Sequence, residues 1–216
     1  QQKMTQLPQI EMVSRNTSPL TDGEGTWSLS EVQSGEIVLP LGKSVDSHYF
    51  NLMGQNLISG DNFKETDFKD RAPVLVINQV LATQLNLKLD KSLEINIESK
   101  QDSKIAPQVT VSSYSNVLGK QLSFGGSSAF TIIGIVNDFK LPGRNSIPPR
   151  VYMPNLNRSN LLIKLKNNQS ITRKELTQLI KSVSNKVSLF ELSSLKQQKS
   201  KRLFTQYTTA FTTAAL

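Results

Sequence analysis

One histidine and no cysteine among 216 residues narrow the chemistry open to this chain. His48 lies two residues after Asp46, on the first turn of a predicted helix. A single histidine without thiolates makes a poor zinc site, because zinc draws three or four nitrogen, sulfur or carboxylate ligands. A Ser-His-Asp set assembled from distant parts of the chain stays open. The Gly-x-Ser-x-Gly nucleophile elbow, however, is absent from the sequence. Gly125-Gly126-Ser127-Ser128 invites a phosphate-loop reading, but such a loop ends in Gly-Lys-Ser/Thr and opens a helix. These glycines precede an apolar run and predict a hairpin turn instead. Asp61, Glu65, Asp67 and Asp70 fall close together without the alternating ligands and central glycine of a calcium loop, and read as a solvated loop. Asn16-Thr17-Ser18, Asn157-Arg158-Ser159 and Asn168-Gln169-Ser170 fit the glycosylation sequon at about the frequency that an Asn- and Ser-rich chain produces by chance. The expectation is no catalytic residue, no cofactor-binding residue, no metal ligand, no cofactor and no enzymatic activity.

Charge and composition set the wider limits. The formal net charge is +8. The cations are spread along the chain, and the densest group, Lys196, Lys199, Lys201 and Arg202, has no interleaved aromatic residues of the kind that stack on bases. A solvated basic surface is expected, with no nucleic-acid partner. Without cysteine no disulfide or thiolate chemistry is available, which fits a bacterial envelope as well as a cytosol. No run reaches the roughly 20 apolar residues of a full membrane span. The uncharged tail Leu203–Leu216 is too short to cross alone, and Phe204, Tyr207, Phe211 and Ala215 fall near one face of a helix.

The elements that must position these residues follow from periodicity. Short strands are predicted at Gln9–Val13 and Glu36–Leu41, with a turn-rich loop at Thr17–Gly25. Asp46 is placed to cap a helix bearing Tyr49, Leu52 and Met53, with Val45 and Phe50 as its hydrophobic staple and Gly54 as its left-handed end. Ala72–Ile77 reads as a buried strand, and Asn78 caps a helix carrying Leu81, Ala82 and Leu85. Residues 88–115 read as a polar, strand-rich hairpin, in which Leu93, Ile95 and Ile97 alternate. Lys120–Phe124 and Phe130–Val136 are further strands, the second the strongest in the chain, and Asp138–Pro149 is a loop. Asn160–Lys166 is followed by the capping box Thr172-Arg173-Lys174-Glu175, a helix with Leu176, Leu179, Ile180 and Val183, and a return strand at Val187–Phe190. That series has the length of a βαβ unit.

Three ordered blocks carry a resemblance. The first is Val45-Asp46-Ser47-His48-Tyr49-Phe50-Asn51-Leu52-Met53-Gly54 with Gly60-Asp61-Asn62-Phe63 and Asp67. The second is Ala72-Pro73-Val74-Leu75-Val76-Ile77-Asn78-Gln79 with Leu81-Ala82. The third runs from Leu118-Gly119-Lys120-Gln121-Leu122 through Phe130-Thr131-Ile132-Ile133-Gly134-Ile135-Val136-Asn137-Asp138 to Val151-Tyr152-Met153-Pro154. Over residues 40–215 the series resembles the periplasmic core domain of MacB-like and FtsX-like ABC-transporter permeases. It departs from that pattern at Gln79, where an acidic residue is usual, and in the inserted residues 88–115.

The resemblance implies an α+β fold. A porter-like subdomain would be formed by residues 1–58 and 150–195, with a smaller inserted subdomain at 59–149 that includes the extra hairpin 88–115. Residues 196–216 would then be a juxtamembrane linker and the start of a transmembrane helix. It further implies a non-catalytic domain on the periplasmic side of a bacterial inner membrane. Such a domain couples cytoplasmic ATP hydrolysis to export of a peptide, toxin, antibiotic or lipoprotein. The implied partners are a cytoplasmic ABC ATPase subunit or domain, a second permease copy in a dimer, a periplasmic adaptor or lipoprotein, and the membrane through flanking helices. The alternative is a periplasmic ligand-binding or sensor domain that signals to a partner.

Overall fold

The computed structural model describes residues 7–17, 25–94, 114, 116–126, 128–140, 146–154, 160–184, 186–198 and 200. Its centre is β7 (Val74–Asn78), where the apolar run faces a core on both sides. Leu75 and Ile77 point into one cluster, with Leu81, Ala82 and Leu85 of helix α3 (Gln79–Glu94). Val74 and Val76 point into the other, with Tyr49 and Phe50 of α1 (Tyr49–Met53) and with Phe63. A strand buried on both faces must be apolar at every position rather than at alternate ones, and this is why its sequence is continuous.

β7 runs parallel to β9 (Ala129–Val136) on one side and antiparallel to β10 (Arg150–Pro154) on the other. β10 in turn runs parallel to β5 (Leu41–Val45). Beyond β5 come β1 (Ile10–Asn16) and then β11 (Asn160–Leu165), which pair antiparallel. Beyond β9 come β8 (Gln121–Ser123), β3 (Leu29–Glu31) and β4 (Ile37–Val38). Two short strands pair off this path: β2 (Gly25–Thr26) with β5, and β6 (Leu57–Gly60) with β9. The result is one mixed sheet with few helices, an α+β architecture. β7 and β9 from the segment 59–149 therefore share a sheet with β5 and β10 from the flanking segments. β3 and β4, from the first 58 residues, sit with β8. A third, smaller core lies at the β1–β11 end, where Ile10 and Val13 are buried against Leu176 of α4 (Arg173–Val183).

Two glycines fix the β6–β9 contact. Gly60 and Gly134 are register partners. A Cβ on Gly134 would stand 2.2 Å from the Asp61 carbonyl oxygen, and one on Gly60 would stand 2.2 Å from that of Ile133. Gly60 also has φ of +74°, which disfavours any larger residue.

Three sequence expectations are corrected. Residues 88–94, read as the start of a hairpin, continue α3, so Leu93 is helical; residues 95–113 of that segment lie outside the described residues. Val187–Phe190 is not a strand. It has no sheet partner among the described residues, so the series from β11 through α4 is a strand and a helix followed by an irregular segment, not a βαβ unit. The acidic stretch after Gly60 is not all loop, because Glu65–Lys69 forms the short helix α2. The tail Leu203–Leu216 lies outside the described residues.

Candidate functional site

The residues singled out for chemistry do not gather. His48 is exposed, and its ring Nδ1 lies 3.5 Å from the neighbouring Ser47 hydroxyl. Asp46 is buried, and its carboxylate faces backbone and a serine rather than the imidazole. Oδ1 accepts from the Ser14 hydroxyl at 2.8 Å and from the His48 backbone N–H at 3.1 Å, while Oδ2 accepts from the Arg15 N–H at 2.8 Å. Asp46 thus ties β1 to the end of β5 and begins the turn into α1. It does so through an Asx-type bond two residues on rather than by capping the helix itself. Asp61 is exposed beside Lys64 at 3.4 Å, and Asp67 accepts from the Lys64 backbone N–H at 2.7 Å. Among the described residues no group of three or more His, Cys, Asp or Glu is placed to hold a metal ion. Gly125 and Gly126 both have positive φ and turn β8 into β9, as a hairpin requires.

The densest polar constellation was not foreseen as one. Asn78, fully buried at the end of β7, uses all four hydrogen-bonding positions of its amide. Oδ1 accepts from the Leu81 N–H at 3.2 Å, capping α3 as predicted, and from the Arg150 N–H at 2.7 Å. Nδ2 donates to Asp138 Oδ1 at 2.8 Å and to the Pro148 carbonyl at 3.0 Å. Asp138 Oδ1 also accepts from the Val80 N–H at 3.1 Å, placing a carboxylate at the positive end of α3. Arg150 Nη1 donates to the Phe139 carbonyl at 2.7 Å. One side chain therefore joins the end of β7, the start of α3, the loop after β9 and the start of β10. Only the cap was legible in sequence, since Asp138 and Arg150 lie 60 and 72 positions away.

Elsewhere carboxylates likewise hold turns. Burial pushes the Glu31 carboxyl up. Bonds from the Ser34 hydroxyl and N–H, the Gln33 N–H and the field of Lys120 outweigh this and hold it below 4.5. Glu175, bonded by the Thr172 N–H at 2.7 Å and its hydroxyl at 2.8 Å, is held below the same ordinary value, chiefly by the backbone bond.

A mixed sheet whose buried polar side chains knit strands and loops defines an α+β module. The sequence profile of the MacB-like periplasmic core domain matches residues 1–186, and the chain belongs to that family. The match takes in the first forty residues, beyond the blocks that carried the resemblance. In fold the chain is similar to the periplasmic region of MacB from Actinobacillus actinomycetemcomitans. Identity is 19%, the TM-score 0.50, and the alignment covers 84% of this chain and 71% of that one. It is similar also to a domain of a putative permease protein from Porphyromonas gingivalis, at 16% identity, TM-score 0.50 and coverage of 85% and 73%. A search of curated proteins by sequence found no match. Among the described residues no helix is long and apolar enough to cross a membrane.

Proposed function

We propose that this domain serves as a mechanical, non-catalytic part of an ABC-transporter permease on the periplasmic side of a bacterial inner membrane. It passes motion driven by cytoplasmic ATP hydrolysis to the export of a peptide, toxin, antibiotic or lipoprotein. The observation that carries this reading is the Asn78 node. Its buried polar capacity goes into joining β7 and α3 to the loop after β9 and to the start of β10, contacts through which force can pass, and none is left facing a ligand. The partners are an ABC ATPase subunit or domain and a second permease copy, with an adaptor or lipoprotein on the periplasmic side. The two-part division, residues 1–58 with 150–195 and residues 59–149, belongs to the same proposal. On that division the two parts would meet at β10–β7, through the register pairs Val151↔Ile77 and Tyr152↔Val76 and the Asn78–Arg150 bond, and at β3–β8.

The test is made in the parent permease, reconstituted with its ATPase. His48→Ala combined with Asp61→Ala should leave transport-coupled ATP turnover unchanged, because both side chains are exposed and neither holds the fold. Loss of coupling with an intact domain would return these residues to an active role and sink the non-catalytic reading. Asp46 is left out of the combination, because its carboxylate holds β1 to β5.

A further inference from the structure

Four large apolar side chains stand out of the surface within nine residues. Val187 is 56% exposed, Phe190 93%, Leu192 38% and Leu195 54%. Their backbone is pinned. Arg173, the first residue of α4, donates from Nη2 to the carbonyl oxygens of Leu189 at 3.0 Å and Phe190 at 3.1 Å. Leu189 turns inward against the cluster of Ile10, Val13 and Leu176. The Phe190 ring is thus held out in water by a segment anchored on both sides of the ring's own backbone. A cluster of this kind is unfavourable in water unless something covers it.

The charge of the flanking sequence indicates the cover. In sequence, residues 173–202 contain eight of the 25 Lys and Arg but only two of the 17 Asp and Glu, Glu175 and, within the apolar run itself, Glu191, and so carry +6 of the net +8. Apolar side chains in a cationic frame have the composition of a segment that lies at the boundary of an anionic bilayer. A second copy of the chain would instead bring like charge against it. The other exposed apolar group, Val32, Ile37 and Leu39 on the β3–β4 hairpin, sits beside Glu31 and Glu36 and lacks that frame.

We propose that the segment Lys186–Lys196 docks on an anionic phospholipid surface. Val187, Phe190, Leu192 and Leu195 enter the headgroup–acyl boundary, and lysines of the flanking sequence, Lys186 and Lys196 first, meet lipid phosphates. The inference rests on reading the domain as one carried by a membrane protein, and assigns this face as the one turned to the bilayer.

Flotation of the 216-residue chain with vesicles tests it. Vesicles of equimolar phosphatidylglycerol and phosphatidylcholine should bind at least about tenfold more tightly than phosphatidylcholine alone, with binding lost near 0.5 M salt as the charges are screened. The uncharged tail is controlled by Phe204→Ser with Phe211→Ser, which should leave the anionic binding in place. Adding Phe190→Ser and Leu192→Ser to that background should weaken it about tenfold or more with an unchanged thermal midpoint, since both side chains are already exposed. Binding abolished by the tail substitutions alone, or untouched by the Phe190 and Leu192 pair, overturns the proposal. So does a chain that ignores vesicles but sediments as a dimer dissolved by Phe190→Ser, which would give the face to a second copy. Either failure leaves the permease reading standing, since the coupling assay in the parent protein decides that separately.

Discussion

Asn78 shows how much one short side chain can hold. Its amide closes four bonds in a site with no access to water, so truncation strands donors and acceptors on four segments at once. Asn78→Ala should destabilise the domain by about 3 kcal/mol in urea titrations, combining a lost cap with buried groups left unpaired. A loss below about 1 kcal/mol would mean that the node is relieved by water. Glu175 makes a second residue-scale case, with a sign that can be worked out. Its folded pKa lies below its ordinary value of 4.5. Its contribution is therefore fully present above that value and is lost as pH falls through the lowered one. Hydrogen exchange of the α4 amides, compared with that of the sheet, should accelerate selectively as the pH is taken down from 4.5. Glu175→Gln should remove that selective step, and its persistence in the variant would assign the step to another group.

At the scale of elements, the β6–β9 contact and the segment after α4 behave differently. Gly134→Ala forces a methyl against the Asp61 carbonyl and should cost about 1–3 kcal/mol, read as a drop in the urea midpoint. Arg173→Ala should leave α4 intact but release the carbonyls of Leu189 and Phe190, so that amides 187–192 exchange about fivefold faster, as loss of about 1 kcal/mol implies. The elements legible in sequence were those with local causes. The Thr172–Glu175 capping box, the Asn78 cap, the Gly54 end of α1 and the apolar runs of β7 and β9 all follow from neighbours within a few residues. What could not be read depended on distant partners. β3 and β6 are short pieces that become strands because β8 and β9 offer them an edge. Val187–Phe190 has the composition of a strand but remains irregular where Arg173 engages two of its carbonyls. Leu93 alternates with Ile95 and Ile97 as a strand would, yet α3 propagates through it, since continuing a helix is cheaper than starting another element. The candidate site was legible only as Asn78 the cap; Asp138 and Arg150 gave no local signal.

For the molecule as a whole, the two proposed parts meet at the β10–β7 junction, two register pairs joined further by the Asn78–Arg150 bond, and at the two-pair junction of β3 with β8. If the two-part division holds, native-state exchange should find β5, β10 and the β1–β11 pair opening as one unit, and β7, β9 and β8 as another. A single opening unit that includes every strand would remove the seam. The β1–β11 pairing has a further consequence, this one for biogenesis. Ile10 pairs with Leu165 and Asn16 with Asn160, so the first described strand to be synthesised finds its outer partner only after the last. β5 waits in the same way for β10. Such long loop closures slow folding and leave strand edges bare in the interval. A nascent chain halted before residue 160 would expose the flank of β1 to any other strand nearby. Folding is therefore a race between arrival of the segment that carries β10 and β11 and capture of an unguarded edge.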